Sequence, residues 1–219
     1  MRRCLLFLAV CFAAQAHDII TTSITFSRDI SRIVNNHCAS CHHPDGMAFS
    51  LMTYADARPW AVAIKEEILR RRMPPWGAIK GFGEFRNDQA LTPEEMERIV
   101  SWTDGGVPEG EAKDMPPPPK SLEPETFRHS RGELSVTGEL ALTRAFLLDG
   151  IWPEKVPEKG SFQITAQLPD GTILPLLWLQ DYKMQFGHPF LFQTPLNLPA
   201  RTVIRGIPPG SKIALLPAK

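Results

Sequence analysis

The chain has 219 residues, enough for one large domain or two small ones that each bury a core. Its 24 Lys and Arg residues balance its 24 Asp and Glu residues, and this zero net charge argues against nucleic acid or another polyanion as a partner. The 21 prolines are unusually many and cluster in the second half, where they favour stiff, extended segments over helices.

The first 16 residues are typical of an export signal. Arg2 and Arg3 precede an apolar run at residues 5–14, and a small-residue cleavage pattern follows at residues 14–16. The apolar run is too short to span a membrane. We therefore predict a periplasmic or otherwise exported protein whose mature form has no stable membrane span.

Directly after a first predicted helix, Cys38 and Cys41 stand three positions apart, and His42 follows the second cysteine. This spacing is typical of covalent haem attachment. Two thiols one helical turn apart can each form a thioether with a vinyl group on one porphyrin edge, and the histidine can then bind the iron. Cys4 and Cys11 belong to the predicted signal, so the sequence predicts one covalent haem c.

Other sites also use a pair of cysteines at this spacing. A thioredoxin-like redox pair expects a βαβ context, and a structural zinc site expects a second Cys/His pair at ligand spacing. A disulfide across so short a step closes a tight loop. The sequence offers neither the βαβ pattern nor a second cysteine pair, so haem attachment is the interpretation that we favour.

Helical signals surround the cysteine motif. Ser27 is predicted to cap the helix that leads to it. A second helix begins near Thr53 and ends before Pro74, because a residue before proline disfavours the helical conformation. A third helix begins after Thr92, where Thr92 and Glu95 are predicted to form a reciprocal cap, and it ends at Gly105.

Met73 is the candidate for the second iron ligand. It lies in a loop stiffened by two prolines, from which its thioether could reach iron without a helix in the way. The alternative is that it only fills the core, as most methionines do. Met47 follows His42 too closely to reach the opposite face, and Met96 lies on the apolar face of a helix. The predicted metal ligands are therefore His42 and Met73, with Met52 as the next candidate.

Three arginines, Arg70, Arg71 and Arg72, stand directly before this loop. They could steer an acidic partner or pair with the propionates of a haem. Alternatively, they form a solvated helix end, where cations are favoured by the helix dipole. The sequence leaves both readings open.

Short stretches of the first half share a family pattern, namely residues 26–30, 38–42, 51–54, 57–60, 73–76 and 102–106. Together they resemble the cytochrome c module of a bacterial family, which is commonly fused to a copper type II ascorbate-dependent monooxygenase-like β-domain. The resemblance covers residues 24–112 and implies a class I c-type cytochrome fold, in which the first and last helices cross to hold the haem. It also implies that Met73 occupies the distal-ligand position.

Beyond a Pro-rich linker at residues 113–121, the apolar pattern changes to period two. Residues 162–168 alternate, residues 169–171 form a turn signal, and residues 173–179 return as an apolar strand. The predicted fold class is therefore α + β in separate domains: an all-α cytochrome c domain at residues 17–112, then a small antiparallel β-sandwich at residues 122–219.

The second half resembles the monooxygenase-like β-domain more weakly, in residues 168–172, 178–182 and 195–200. The copper-bearing version of that domain implies a His-x-His pair and a methionine. This half instead offers His129, His188 and Met184, which are scattered along the sequence. We therefore predict an interaction or scaffold domain without a metal.

Taken together, these features predict a mono-haem c-type cytochrome that carries single electrons between redox protein partners, rather than an enzyme. A copper oxygenase or oxidase is one class of partner to test. The first alternative is a haem subunit or domain of a copper-dependent monooxygenase-like enzyme. Another is a haem sensor or peroxidase, which needs an open or displaceable sixth position on the iron.

Overall fold

The computed structural model describes residues 22–122, 126–129 and 131–218, so the predicted export signal, with Cys4 and Cys11, lies outside the described residues. The described chain is mainly β, with eight strands in two four-stranded antiparallel sheets. The helices are α1 (Ser31–His37), α2 (Tyr54–Ala57), α3 (Ala61–Leu69) and α4 (Pro93–Asp104). The strands are β1 (Leu134–Val136), β2 (Leu140–Ala141), β3 (Phe146–Lys155), β4 (Ser161–Gln167), β5 (Ile173–Gln180), β6 (Phe190–Leu198), β7 (Val203–Arg205) and β8 (Lys212–Pro217).

One sheet has the strand order β1-β8-β3-β6, and the other has the order β2-β7-β4-β5. The hairpin predicted from residues 162–179 is present, since β4 and β5 pair antiparallel from Ser161 with Gln180 to Gln167 with Ile173. Apolar side chains from both sheets interdigitate in one buried core, the sandwich core, as expected for two packed sheets. We call residues 126–218 the β-half and residues 22–112 the helical half.

The predicted fold class is wrong, because the described chain is mainly β and contains no all-α domain. The first half is not an all-α domain, because its helices are short and the stretch between α3 and α4 is irregular. Pro74 and Pro75 prevent that stretch from continuing a helix, and Gly77 has a φ of 73°, which glycine adopts without strain. Trp76, Ala78, Phe85 and Ala90 of this stretch pack in or against the sandwich core, whereas Leu91 packs with the helices.

Backbone hydrogen bonds attach residues 76–90 to the second sheet. The N–H of Ile79 donates to the carbonyl of Trp178 at 2.9 Å, and the N–H of Gln180 donates to the carbonyl of Gly77 at 2.9 Å. Ala78 pairs with Leu179 as an antiparallel bridge. This segment therefore continues the exposed edge of β5, where unpaired backbone groups invite an added strand.

The same segment also attaches to the first sheet. The N–H of Arg86 donates to the carbonyl of Leu191, and the N–H of Gln193 donates to the carbonyl of Glu84, at 2.9 and 2.8 Å. The guanidinium of Arg86 binds both carboxylate oxygens of Asp149 at 2.9 and 2.8 Å. Such two-point pairing fixes orientation as well as distance, so the segment is attached to both sheets.

The helical half has its own apolar core, the helical core, which includes Phe26, Ile33, Ile68 and Trp102. A π-helical turn at Phe26–Ile30 leads into α1. The predicted cap at Ser27 is wrong: Ser27 is buried, and the Thr25 hydroxyl accepts from the backbone N–H of Arg28 instead. The start of α4 carries the predicted cap, since Thr92 and Glu95 form a reciprocal capping box.

The Pro-rich segment predicted as a linker follows a 3₁₀ turn at Ala112–Asp114. Its backbone is held near α1, because Arg32 donates to the carbonyl of Asp114 at 3.2 Å and Asn35 donates to the carbonyl of Pro117 at 3.3 Å. The proposed domain boundary at this segment stays a prediction.

Candidate functional site

The cysteine motif forms a tight helical turn where α1 ends. The N–H of Cys38 donates to the carbonyl of Val34 at 2.9 Å, and the N–H groups of Cys41 and His42 both donate to the carbonyl of Cys38, at 3.1 and 2.9 Å. Both cysteines are free thiols. The turn therefore presents two thiols and an imidazole from a backbone that is fixed by local hydrogen bonds.

Burial distinguishes this cysteine pair from a redox pair. The side chain of Cys38 packs against the helical core, and burial, reinforced by the nearby Cys41 and Glu95, raises its pKa to about 12. A thiol that attacks a disulfide needs the opposite environment, one that lowers its pKa. The surroundings of Cys38 thus differ from those of a thioredoxin-like nucleophile, whose thiol has a lowered pKa.

The imidazole of His42 has a defined tautomer. Its Nδ1 lies 2.9 Å from the carbonyl oxygen of Phe49, and a carbonyl oxygen can only accept, so Nδ1 carries the proton. In the neutral ring, Nε2 then holds the lone pair, and it makes no hydrogen bond with any residue that the structure describes. This arrangement is the one that metal-binding histidines adopt, with the remote nitrogen bonded to a backbone carbonyl.

An aromatic pair lies beside His42. The His42 ring meets the edge of Phe49 at a centroid distance of 5.0 Å, and Phe49 stacks on Trp60 at 4.3 Å. Phe49 is 46% exposed and Trp60 is 44% exposed, which is unusual for rings of this size. The motif is therefore bordered by apolar surface that an attached planar group or a protein partner could cover.

A hydrogen-bonded pair links the motif to α4. The two ring nitrogens of His37 lie 3.1 Å from the carbonyl of Gln89 and 3.1 Å from a carboxylate oxygen of Glu95. Burial opposes ionisation of Glu95, but the Thr92 backbone and hydroxyl, together with His37, lower its pKa overall. Glu95 stays ionised at neutral pH and holds the end of α1 against the start of α4.

Met73 lies where α3 ends. The backbone turns away from the helix at Arg71, whose φ of 54° is in the left-handed region, and the N–H groups of Arg72 and Met73 donate to the carbonyl of Glu67. The Met73 side chain is 37% exposed and lines a cavity of about 640 Å³, the Met73 cavity. The methionine therefore presents its thioether to a space between the two halves.

Both halves form the walls of the Met73 cavity. The helical half contributes Ile68, Met73, Trp76, Leu91 and Met96 among others, and the β-half contributes Lys159, Gln180, Lys183 and Phe186 among others. Met96 was expected only on the apolar face of its helix, yet it lines the same cavity as Met73. No sequence signal separates a methionine that faces a core from one that faces a cavity, because both positions follow the same helical period.

The structure does not place Cys38, Cys41 or His42 on the lining of this cavity. The link between the two is the helical core: Cys38 and Met96 both pack against it, and its members Ile68 and Leu91 also line the cavity. The structure therefore does not bring the predicted ligands His42 and Met73 together on the lining of this cavity.

The three residues of the β-half that were considered as metal ligands each make different contacts. His129 stacks on Trp152 at 4.3 Å and pairs with Glu133, whereas His188 stacks on Trp76 at 4.6 Å. Met184 packs against the sandwich core. Within the described residues, no group of three or more His, Cys, Asp or Glu side chains could hold a metal ion.

The residues of the helical half fit a covalently attached haem by their donor chemistry. Cys38 and Cys41 are free and one turn apart, and His42 has one nitrogen engaged and the other available. Met73 offers a thioether at a cavity with apolar walls. These donors are the set that holds haem in His/Met-ligated cytochromes.

No family model matches the chain, and it has no match among curated proteins or solved structures. None of the described helices has the length and apolarity that a membrane crossing requires.

Proposed function

We propose that this chain is an exported electron-transfer protein that carries one covalent haem c on Cys38 and Cys41. One observation carries the proposal: the Nδ1 proton of His42 is committed to the Phe49 carbonyl, which leaves Nε2 as an available ligand directly after the two free thiols. Export rests on the predicted signal at residues 1–16.

Each residue has a defined role in this proposal. The two cysteines would hold the porphyrin by thioether bonds, and the imidazole of His42 and the thioether of Met73 would bind the iron. When bound, the haem supplies a one-electron Fe(III)/Fe(II) couple, and His/Met ligation gives that couple a high potential. The carbonyl of Phe49 orients the imidazole and increases its basicity through the Nδ1 hydrogen bond.

The exposed Phe49 and Trp60 rings provide a surface beside the proposed haem edge on which a redox protein can dock. Aromatic side chains are enriched in the centres of such interfaces because they bury much apolar area. We propose redox proteins as the partners, and a copper oxygenase or oxidase is one class to test. Electron transfer needs no catalytic residue from the chain itself.

The direct test is attachment. The full chain is exported in a bacterium that matures c-type cytochromes, and intact mass and haem staining are recorded after denaturation. The wild type should retain the mass of one haem, and the Cys38→Ala/Cys41→Ala double variant should lose it. Ser40→Ala is the matched control, since this exposed residue lies between the two cysteines and should leave attachment intact. Wild-type protein without covalent haem would overturn the proposal.

A further inference from the structure

The Met73 cavity carries a local excess of positive charge in a chain that is neutral overall. Arg70, Arg71, Arg72, Lys159 and Lys183 all line it. Only two carboxylates, those of Glu67 and Asp181, share that lining. A cavity with apolar walls and a cationic rim favours a ligand that is apolar in its body and anionic at one edge.

Most of these cations have no partner among the residues that the structure describes. Arg72 pairs with Glu67. Neither Lys159 nor Lys183 makes an ion pair or a side-chain hydrogen bond with any residue in the described parts of the chain, and the same is true of Arg70 and Arg71. Four such side chains around one cavity give it a positive potential that favours an anionic ligand.

The two lysines come from different loops of the β-half, and hydrogen bonds connect these loops. Lys159 lies between β3 and β4, and Lys183 lies between β5 and β6. The N–H of Asp181 donates to the carbonyl of Gly160 at 2.9 Å, and the N–H of Gly160 donates to a carboxylate oxygen of Asp181 at 2.9 Å. These reciprocal hydrogen bonds hold the two loops side by side at the rim of the cavity.

We propose that Lys159 and Lys183 bind the two propionate carboxylates of the haem, so that the β-half forms part of the cofactor site. This inference rests on the proposed function. It gives the β-half a role that does not require a metal of its own. The hydrogen bonds that join Gly77 and Ile79 to β5 hold the two halves together beside this cavity.

The consequence is measurable through the haem itself. A propionate that is paired with a lysine ionises at lower pH, and loss of the cation makes the carboxylate harder to ionise. Because propionate ionisation is coupled to iron oxidation, the reduction potential decreases as the pH rises through the range in which the propionates titrate. In the Lys159→Gln/Lys183→Gln double variant we expect that range to move upward by about one pH unit.

The experiment is spectroelectrochemical titration of the haem-loaded full chain between pH 4 and pH 9. The Lys159→Arg/Lys183→Arg variant keeps both charges and should behave as the wild type. Lys113→Gln is the control for general charge loss, since Lys113 pairs with Glu111 and does not line the cavity. A haem-loaded Gln variant with the wild-type range, or with a shift no larger than that of Lys113→Gln, would overturn the inference.

Failure of the proposed function looks different. In that case the wild type holds no covalent haem, and both the function and this inference fall together. A chain that holds covalent haem but shows no effect of the lysines refutes the inference alone. If the variants instead change only the salt dependence of electron transfer to a protein partner, the cations serve an acidic partner and the propionate assignment is wrong.

Discussion

The imidazole of His188 stacks on the indole of Trp76, with ring centroids 4.6 Å apart and planes inclined by only 8°. Two prolines separate Trp76 from Met73 in the sequence, whereas His188 directly precedes the segment that leads into β6 of the β-half. Phe190 packs on both rings, at 4.7 Å from each. This aromatic contact joins the two halves next to the cavity that Met73 lines, so it connects the proposed ligand loop to the sandwich core.

Trp76 should therefore contribute strongly to the stability of the whole chain. It is 4% exposed and belongs to the sandwich core although it comes from the first half. Trp76→Ala should lower the free energy of unfolding by about 3–5 kcal/mol, the range for removing a large buried aromatic side chain. Urea unfolding followed by circular dichroism measures it. Trp60→Ala, at an exposed indole, should cost clearly less, and equal losses would contradict this assignment.

Stability should also depend on pH through His188. Burial of the ring lowers the pKa of His188, and hydrogen bonds to the backbone of Pro189 and Trp76 oppose this only in part. The unfolded chain, where the pKa is about 6.5, then binds the proton more readily than the folded chain. The contribution of His188 to the free energy of unfolding is thus fully present above about pH 6.5. It decreases as the pH falls below that value, and it stops changing once the pH is below the folded-state pKa.

His188→Phe keeps an aromatic ring against Trp76 but cannot bind the proton. In this variant, the loss of stability at low pH that is due to His188 should disappear. Thermal unfolding midpoints between pH 4 and pH 8 measure the difference from the wild type. His43→Phe is the control, because His43 lies in a surface turn and its ring bonds to the carbonyl of the neighbouring Pro44. If wild type and His188→Phe lose stability in parallel as pH falls, His188 is not the group responsible.

The two methionines of the Met73 cavity can be distinguished as ligands. Met73→Ala should keep the covalent haem but open the sixth position, so that the reduced protein binds carbon monoxide. Met96→Ala should leave ligation unchanged and only weaken packing, because Met96 lies on α4 against the helical core. Absorption spectra with and without carbon monoxide decide between them. An unchanged low-spin spectrum in Met73→Ala would identify another ligand, with Met96 and Met52 as the next to test.

A chain that ends at residue 112 should remain competent for haem attachment, because the motif turn is fixed by hydrogen bonds within the helical half. It should nevertheless lose order in residues 76–90, whose backbone partners lie on β5 and β6. We expect rapid proteolysis within that segment in the shortened chain and slow cleavage in the full chain. Mass mapping of the fragments checks this, and equal protection in both chains would show that the segment orders without the β-half.

Local rules in the sequence were sufficient for the capping box at Thr92, the β4–β5 hairpin and the helical turn that carries the cysteine motif. Each of these features depends on residues that are close in the sequence, so a short sequence pattern is sufficient to predict it. The haem assignment, with its ligands and its electron-transfer role, stays a prediction that the arrangement of His42 supports.

Tertiary structure alone decided where residues 76–90 belong. Their glycines and scattered aromatic residues suited a ligand loop within a closed helical domain as well as they suited an addition to a sheet. Burial of Trp76 against Phe190 and His188, together with backbone pairing at the edges of β5 and β6, selected the sheet. Such pairings join residues about a hundred positions apart. A local sequence pattern cannot predict them, because hydrophobic burial does not specify which apolar side chains will pack together.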